Sequence, residues 1–312
     1  MTGPRRAEPP LLVLTRIWPT KERPSLGSFV KARVAGVDGV RVVIPPARHM
    51  PRLLIYTALL LKALRLRGPI RGVEAHMLVP TGFIGLLVAR ARGVPLVVYA
   101  HGMDVWEWER PILPLRWLSR YVASHADRLV TNSEGTARDV RALGGREPIV
   151  APPGVDLSRF TPSPRPAARR VLYLGGRDPR KGYEVALGVA DTLVGPGLDE
   201  LDPDRIPPLI AAHDVVLVPS LAEPFGLVAV EAIASGRWVV ANAVGGLRDI
   251  VIDGVNGTLV DDGDFAGAVT QVPDYDPDAV ARTAERYSLE AWQAALETIW
   301  NEVLEARGSP SG

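Results

Sequence analysis

Two carboxylates, Glu223 and Glu231, lie on either side of a glycine in the segment EPFGLVAVE. Glu223 follows the apolar run 215–218 and a turn, which predicts a buried strand that ends in a loop. Gly226 precedes an apolar-periodic stretch, 227–234, which predicts a helix. A loop carboxylate can accept hydroxyl hydrogens, and the start of a helix favours phosphate. The spacing alone fits equally well with two solvated glutamates.

A pair of basic residues, Arg177 and Lys181, follows another predicted strand, 171–174, and a Gly-Gly turn. This spacing allows both side chains to point to one side of a loop–helix junction. A cation about 4 Å from a phosphate contributes roughly 4 kcal/mol at an effective dielectric constant of about 20. Because Arg180 lies between the two, a solvated basic loop is the alternative interpretation.

His101 is the histidine with the most informative neighbours, because it directly follows the apolar run 96–100 in the context HGMD. A lone histidine at the end of a strand is more often structural, so this position by itself indicates little. His76 is a candidate for a supporting or structural role. The other histidines have no chemistry-bearing residues around them: His49, His125 and His213.

The elements that must position these residues alternate between short apolar runs and helical patterns. This alternation predicts two doubly wound, Rossmann-like α/β domains with parallel sheets and a cleft between them. Ligands in such sheets bind beyond the carboxyl ends of the strands, and the motifs that contain Arg177, Glu223 and His101 each lie just after a predicted strand. The Pro-rich segment 160–168 divides the chain. The strand candidates are 11–15, 40–44, 96–99, 129–131, 171–174, 215–218 and 238–241.

Composition excludes several classes of protein. The 312 residues carry a formal net charge of +1, so there is no global basic field for nucleic acid. No cysteine is present, which excludes disulfides and thiolate metal sites. The first apolar run, 11–14, is too short for a signal peptide, and no window reaches the roughly 18 apolar residues of a spanning helix. We therefore expect a cytoplasmic protein.

The stretch from Asp214 to Gly236 resembles the core of the family-4 retaining glycosyltransferases, which have the GT-B fold and carry paired glutamates at this spacing. The resemblance extends, in the expected order, over five more segments: 101–104, 131–134, 153–156, 175–182 and 244–257. It implies an N-terminal acceptor-side domain, 1–163, a C-terminal nucleotide-sugar domain, 164–287, and a last helix, 288–312, that packs back on the N-terminal domain.

The resemblance also implies roles for individual residues. Arg177 and Lys181 match the clamps of the donor diphosphate, and His101 matches a histidine that faces the donor sugar. Glu223 matches the residue that binds sugar hydroxyls, and Glu231 the carboxylate that binds ribose. Donor contacts are further implied for a glycine of the first loop and for residues around the second: Gly27, Phe225, Gly226, Leu227 and Val228.

The implied reaction is transfer of a hexose from a nucleoside-diphosphate sugar, UDP-sugar before GDP-sugar, to a sugar, lipid-linked or small-molecule hydroxyl, without metal or other cofactor. We see no well-placed nucleophile and favour front-face displacement. A degenerate binding or scaffold protein is the alternative, because the segment between Lys181 and Asp214 is shorter than in typical members. Neither the acid pair of an epimerase nor the lysine-bound cofactor site of a phosphorylase is apparent.

Two further patterns have open interpretations. Asp-x-Asp motifs, which bind metal in the other major glycosyltransferase fold, occur at 202–204, 262–264 and 276–278. Only the second follows a strand pattern, so a metal role is the less favoured interpretation. The predicted helix 53–67 combines leucines with basic residues, as in family members that act on lipid acceptors. Peripheral membrane contact through 52–67 is one interpretation, and an ordinary half-buried helix is the favoured one.

Overall fold

The computed structural model describes residues 8–20, 27–35, 37, 39–46, 51–106, 113–199 and 201–308. The chain forms two compact units. The first unit contains the described residues up to Asn132, then Thr136–Ala151 and the chain from Gln293. The second contains Ser133–Gly135 and Pro152–Trp292. These units are defined by compactness, so the functional partition into 1–163, 164–287 and 288–312 stays a prediction.

The first unit is built on a six-stranded sheet whose order is β2-β1-β3-β4-β5-β6. All neighbouring strands pair in parallel, as the alternation of strands with helices predicts. Its strands are β1 Leu11–Leu14, β2 Val40–Val43, β3 Gly72–His76, β4 Leu96–Ala100, β5 Arg128–Thr131 and β6 Ile149–Val150. Its helices are α1 Ser28–Ala35, α2 Arg52–Leu64, α3 Phe83–Arg92, α4 Met103–Trp106, α5 Leu113–His125 and α6 Glu134–Ala142.

The second unit is built on a five-stranded parallel sheet whose order is β11-β10-β9-β7-β8. Its strands are β7 Val171–Tyr173, β8 Thr192–Leu193, β9 Val215–Val218, β10 Trp238–Asn242 and β11 Gly257–Val260. Its helices are α7 Tyr183–Val189, α8 Ile206–Ala211, α9 Leu227–Ala234, α10 Leu247–Ile250, α11 Phe265–Thr270 and α12 Pro277–Arg282. The last helix, α13 Leu289–Gly308, begins in this unit and continues in the first from Gln293.

Both sheets reverse their strand order beside their first strand. In the first unit the reversal lies between β1 and β3, and in the second it lies between β7 and β9. The connections that leave the two strands at such a switch point run on to opposite faces of the sheet, and ligands bind in the crevice at its carboxyl edge. The predicted class, two doubly wound α/β domains, is confirmed, and the switch points indicate where ligands bind.

The Pro-rich segment before β7 is held against the second unit by one buried arginine. Arg237 is fully buried, and its guanidinium donates to the carbonyl oxygens of Ser163 at 2.9 Å, Pro164 at 3.1 Å and Ala211 at 3.0 Å. A buried charge requires this degree of hydrogen bonding. The segment read from sequence as a break is therefore fastened to the sheet that follows it.

The last helix contributes to the interior of the first unit. From Gln293 onward α13 belongs to that unit. Trp300, which is buried, donates its indole N–H to Oε2 of Glu74 at 3.0 Å. Arg307 pairs with Asp127 at 3.1 Å. The apolar stripe of α13 thus surrounds one specific polar contact with β3.

Candidate functional site

The loops that follow β7 and β9 touch each other at the switch point of the second sheet. Gly182, with φ of +75°, lies so close to Pro219 that a β-carbon on it would stand 2.1 Å from the Pro219 carbonyl oxygen. The Leu221 N–H donates to the Arg180 carbonyl at 2.8 Å. Only glycine permits this approach, since any side chain would separate the two loops.

An ion pair joins the same two loops. Lys181 Nζ lies 2.6 Å from Oε2 of Glu223, and the Ser220 hydroxyl donates to that same oxygen at 3.1 Å. Glu223 is buried, whereas the Lys181 side chain is 39% exposed. Within the described residues Oε1 of Glu223 accepts no hydrogen bond. The carboxylate is therefore fixed through one oxygen, and the other is available as a hydrogen-bond acceptor.

The basic loop does not behave as three equivalent solvated cations. Arg180 is bound in two places by the carboxylate of Asp178, at 3.2 and 2.8 Å, and this hydrogen bonding lowers the pKa of Asp178. Arg177 is exposed, its guanidinium lies 5.7 Å from the Tyr183 ring centroid, and it forms no ion pair with any described residue. A solvated basic loop, the alternative interpretation from the sequence, is therefore less favoured, because Asp178 neutralises the charge of Arg180.

The predicted helix after Gly226 is present as α9, and its first N–H groups have no acceptor within the helix. The N–H groups of Ala229 and Val230 both bond to the Gly226 carbonyl, so those of Leu227 and Val228 precede the ladder. Gly226 has φ of +116°, which a residue with a side chain rarely adopts. Phe225 is buried beside it. The four predicted donor contacts thus form one turn at a helix start.

A second glycine pair, which the sequence reasoning gave no role, fixes this turn from outside. The Gly246 N–H donates to the Glu223 carbonyl at 2.9 Å. A β-carbon on Gly245 would stand 2.0 Å from that carbonyl oxygen, and one on Gly246 would stand 2.5 Å from the Phe225 carbonyl oxygen. The signal was the Gly-Gly dipeptide directly after a strand pattern, which marks a close backbone approach.

Glu231 lies one turn into α9 and is half-buried. Burial raises its pKa to about 7, against a weaker lowering influence from Arg159. Its carboxylate has no hydrogen-bond partner in the described part of the chain. Because polar groups away from water normally have partners, this carboxylate is suited to accept hydroxyl hydrogens from a ligand. It is not the freely solvated glutamate of the alternative interpretation.

In the first unit, His101 stands at the carboxyl end of β4 beside His76 of β3. Nε2 of His101 lies 3.0 Å from Nδ1 of His76, and the rings are stacked with centroids 5.2 Å apart. Phe29 contacts the His101 ring at a centroid distance of 5.0 Å. Burial, followed by repulsion from His76, lowers the pKa of His101 well below its usual value. The imidazole is therefore neutral at pH 7.

A buried glutamate behind His76 was missed by sequence reasoning. Glu74 is 1% exposed and lies in the otherwise apolar strand β3, two residues before His76 and on the same face. Its Oε1 lies 3.3 Å from His76 Nε2, and Arg33 lies 3.5 Å from its Oε2. The signal was a strand pattern, GVEAH, that buries two polar residues on one face.

Gly27 lies in the loop after β1, and the resemblance implies that it contacts the donor. It has φ of +70°, and a β-carbon on it would stand 2.4 Å from the carbonyl oxygen of Ile17. The approach is to the chain's own backbone. Residues 21–26 of this loop fall outside the described residues, so the predicted contact of Gly27 with the donor stays a prediction.

One aspartate of each Asp-x-Asp motif caps the start of a helix or short turn. Asp264 accepts from the Gly267 N–H and caps α11, and Asp276 caps α12 in the same way. Asp202 caps the short turn Pro203–Arg205. These are ordinary roles of aspartate at a helix N-cap. Among the described residues no group of three His, Asp or Glu side chains suits a metal ion, and no helix is long and apolar enough to span a membrane.

Comparison with known proteins agrees with this architecture. Residues 11–159 match the sequence profile described as Glycosyltransferase Family 4, and residues 162–274 match the one described as Glycosyl transferases group 1. The chain belongs to the family-4 type glycosyltransferases of the GT-B fold. The resemblance carried by the six sequence segments is thereby confirmed.

Curated relatives of this family-4 chain include D-inositol 3-phosphate glycosyltransferases. The one from Mycolicibacterium smegmatis is 34% identical, with 70% of this chain and 64% of the relative covered. The one from Mycolicibacterium vanbaalenii is also 34% identical, with 70% and 63% covered. The chain thus spans slightly less than two thirds of the length of these relatives.

Solved structures share the fold at low sequence identity. Anabaena HepE in complex with UDP superimposes with a TM-score of 0.73 at 20% identity, covering 95% of this chain and all of HepE. Sucrose-phosphate synthase from Thermosynechococcus elongatus gives 0.76 at 18% identity, covering 96% of this chain and all of the neighbour. These neighbours establish the GT-B fold of the family-4 chain.

Proposed function

We propose that this chain is a retaining glycosyltransferase that moves a hexose from a nucleoside-diphosphate sugar to an acceptor hydroxyl without a metal ion. The observation that carries the proposal is the Lys181–Glu223 pair at the β7/β9 switch point, with Arg177 exposed in the same loop as Lys181. Cation, carboxylate and helix start lie together where a doubly wound sheet binds its ligand.

In the proposed reaction the bond between sugar C1 and the β-phosphate oxygen breaks, and its electron pair stays on the phosphate. The acceptor oxygen bonds to C1 on the same face, and its proton passes to the departing phosphate. Arg177, Lys181 and the first N–H groups of α9 stabilise the growing negative charge. These groups are held in position before the reaction, so little reorganisation is required.

The two glutamates then have separate tasks. Glu223 accepts a sugar hydroxyl through its open Oε1, while Lys181 and Ser220 hold Oε2. Glu231 accepts the ribose hydroxyls. Since burial raises the pKa of Glu231 to about 7, hydroxyl donors from a nucleoside favour its ionised form and bind more tightly to it. His101 serves the donor sugar, as the family pattern implies.

The donor proposed first is a UDP-sugar, with a GDP-sugar second and no resident cofactor. Support comes from HepE, whose structures contain UDP and, in another crystal, UDP-glucose. The curated relatives are named for D-inositol 3-phosphate, which makes a phosphorylated polyol the first acceptor to examine. A sugar or a lipid-linked hydroxyl is the other proposed acceptor class.

The decisive experiment measures release of UDP from UDP-glucose and other UDP-sugars, with and without D-inositol 3-phosphate, followed by GDP-sugars. Acceptor-dependent nucleotide release together with a glycosylated product of unchanged anomeric configuration supports the proposal. Binding of the nucleotide sugar without any turnover, with or without an acceptor, supports the scaffold alternative. The anomeric configuration is determined by proton NMR of the product.

We also propose peripheral contact with an anionic membrane through the surface formed by α2, α3 and α5, at the cytoplasmic face. The support is charge segregation, since no Asp or Glu occurs in 51–70, 83–103 or 113–126 although the whole chain is nearly neutral. The exposed large apolar side chains of this surface are Leu53, Leu54, Leu61, Leu64, Leu87, Trp117 and Tyr121. Its exposed basic side chains are Lys62, Arg65, Arg67, Arg90, Arg116 and Arg120.

Anionic lipid attracts basic residues, and apolar side chains beside them enter the interface. Co-sedimentation with vesicles of phosphatidylglycerol and phosphatidylcholine tests this contact. We expect binding that rises with the anionic fraction and falls in Trp117→Ser and in Lys62→Glu. Equal binding to purely zwitterionic vesicles, or unchanged binding in both variants, contradicts the proposal. The exposed Leu187, which belongs to the second unit, provides the control variant Leu187→Ser.

A further inference from the structure

One buried carboxylate joins the loops that follow β3 and β4 at the carboxyl edge of the first sheet. Oδ2 of Asp104 accepts the Leu78 N–H at 2.7 Å, and Oδ1 accepts the His101 N–H at 2.9 Å. Asp104 is only 4% exposed. Burying a carboxylate costs stability unless hydrogen bonds replace the lost water. Here two main-chain donors, one from each loop, replace part of it.

Local structure explains only one of these two bonds. Asp104 lies in the short helix α4, and a carboxylate in the first turn of a helix can reach back to the main chain before it, as the bond to His101 does. The bond to Leu78 is different, because it spans 26 residues and reaches the loop of another strand. A helix start does not require this second bond, so its role lies in what it holds.

The bond to Leu78 holds a strained stretch of main chain. The preceding residue, Met77, has φ of +82° and ψ of +140°, which residues with a side chain rarely adopt. It is the only non-glycine with a positive φ in the described part of the chain. Its N–H donates to the Tyr99 carbonyl at 2.7 Å. Such strain persists only where the surroundings enforce it, and it is typical of functional sites.

The bond to His101 fixes the main chain that carries a candidate catalytic ring. On the other side of this residue, its carbonyl accepts from the Asn132 side chain at 3.1 Å. The ring itself packs against His76 and Phe29, with centroid distances of 5.2 and 5.0 Å. The main chain of His101 is therefore held on both sides, and a displacement of it moves the imidazole.

We propose that Asp104 is a positioning residue for the reaction. Its carboxylate holds the loop after β3 and the main chain of His101 in one arrangement, and it thereby maintains the strained backbone at Met77. The effect on the reaction rests on the proposed function, in which His101 serves the donor sugar. The coupling of the two loops does not, because it follows from hydrogen bonds within the first unit.

Asp127 provides a matched control at the opposite end of the same strand. Its Oδ2 accepts the Leu96 N–H at 2.8 Å, at the amino end of β4, and its Oδ1 pairs with Arg307 of α13 at 3.1 Å. Asp127 therefore also joins the main chain of β4 to a distant element. Asp104→Asn and Asp127→Asn each remove one charge and one acceptor oxygen, and they disturb opposite edges of the sheet.

The first test measures amide hydrogen exchange of the full chain by NMR at pH 7 without ligand. Asparagine has a single acceptor oxygen, so Asp104→Asn retains at most one of the two bonds. Relative to the amides of β1, we expect Leu78 or His101 to exchange about tenfold faster in Asp104→Asn. Neither should change in Asp127→Asn. Unchanged protection of both amides in Asp104→Asn overturns the proposal.

The second test separates positioning from stability by kinetics. Misplacing a group by about 1 Å can lower a rate about 100-fold. We expect Asp104→Asn to lower kcat at least about tenfold, and Asp127→Asn to keep it. The affinity for UDP should change little, since the proposed diphosphate contacts, Arg177 and Lys181, belong to the second unit.

Equal kcat in Asp104→Asn and Asp127→Asn overturns the positioning role. Absence of turnover in the unaltered chain counts against the proposed function instead, and the exchange measurement still decides whether Asp104 couples the two loops. Thermal unfolding of each variant shows that the fold is kept.

The third test connects Asp104 to the strain at Met77. Glycine adopts a positive φ without strain, so in Met77→Gly the loop after β3 needs less support. A double-mutant cycle compares the loss of kcat caused by Asp104→Asn in the unaltered chain and in Met77→Gly. We expect the loss to be about threefold smaller in the glycine background. The packing of the methionine side chain is absent from both proteins of that background and cancels. An equal loss in the two backgrounds overturns the proposed support of Met77.

Discussion

Lys181 Nζ lies 2.6 Å from Oε2 of Glu223, and this ion pair connects the loops after β7 and β9 at the switch point of the second sheet. The two residues are therefore coupled. If Lys181 binds the diphosphate as proposed, that contact also alters the electrostatic surroundings of Glu223. Substituting either residue affects the other, so single variants are best compared with a neighbour outside the pair.

Arg177→Ala and Lys181→Ala are each expected to lower kcat at least tenfold while the fold is kept. Removing one preorganised charge-stabilising group typically costs about 10²–10³ in rate. Arg180→Ala is the control, because Asp178 already neutralises Arg180. Steady-state release of UDP, with circular dichroism for folding, measures the effect. Near-normal rates for both Arg177→Ala and Lys181→Ala are incompatible with the assignment.

Substitutions of Glu223 and Glu231 are expected to affect the binding of different parts of the donor. Glu223→Gln should lower turnover and leave the affinity for free UDP nearly unchanged, because Glu223 is assigned to the sugar. Glu231→Ala should weaken the binding of free UDP, because Glu231 is assigned to the ribose. Calorimetric titration of both variants with UDP decides. Loss of UDP binding in Glu223→Gln, with normal binding in Glu231→Ala, would mean that the two roles are reversed.

The free energy of unfolding should depend on pH through Glu231. Its pKa is raised from 4.5 to about 7 in the folded chain, so the folded state retains a proton that the unfolded state releases. The resulting contribution is present below pH 4.5 and is lost as pH rises towards 7, with an upper limit of about 3 kcal/mol. Urea unfolding of the unaltered chain and of Glu231→Gln, from pH 5 to pH 8, measures it.

The unaltered chain should lose stability relative to Glu231→Gln across that range. A constant difference between the two proteins contradicts the raised pKa. UDP should have the opposite dependence, since ribose hydroxyls favour the ionised carboxylate. Its affinity for the unaltered chain should increase from pH 6 to pH 8, and this increase should be absent in Glu231→Gln.

Gly245→Ala is expected to damage the site from a distance. Its β-carbon would stand 2.0 Å from the Glu223 carbonyl oxygen, so the loop that carries Glu223 must move. Gly254→Ala is the matched control, since Gly254 also has a positive φ, +72°, but nothing lies within 4 Å of its β-carbon. Both variants incur backbone strain of about 1–2 kcal/mol. Only Gly245→Ala should also lower turnover. Equal turnover in Gly245→Ala and Gly254→Ala would contradict the role of Gly245 in holding the Glu223 loop in place.

Activity is expected to survive excess chelator, with modest and non-selective stimulation by divalent ions. Arg177, Lys181 and the start of α9 supply the positive potential where the leaving diphosphate gathers charge. Nucleotide release measured in EDTA, and after addition of magnesium or manganese, tests this. Complete loss that only one of these metals restores would mean that Asp262 and Asp264 were misinterpreted.

Sequence patterns were sufficient for the parts of the fold that repeat. Apolar runs such as 215–218 predicted buried strands, and the stretch after Gly226 predicted α9 at its observed bounds. Glu74 was overlooked because its partners, Arg33 and Trp300, are distant in sequence and only tertiary packing brings them to it. The bracing role of Gly245 was missed for the same reason.

The difference between Arg177 and Arg180 was also beyond the sequence. Both are arginines of one loop, and their formal charges are equal. Which of them is available to a phosphate depends on local pairing. The carboxylate of Asp178 binds the Arg180 guanidinium and caps the turn Pro179–Lys181. Residue type and sequence spacing predict which charged side chains are present. The folded structure determines which of them have an ion-pair partner within the protein.

The hydrogen bond from Trp300 to Glu74 has a consequence for synthesis on the ribosome. The two residues are 226 positions apart, so at about 5–20 residues per second Trp300 is made about 11–45 seconds after Glu74. During that interval the nascent chain exposes a strand bearing a carboxylate without its indole partner. All five strands of the second sheet are complete before Trp300 is added. Because of this order of translation, the first sheet is made before the helix that completes its interior. A chaperone that shields apolar strands would bind that sheet during the interval.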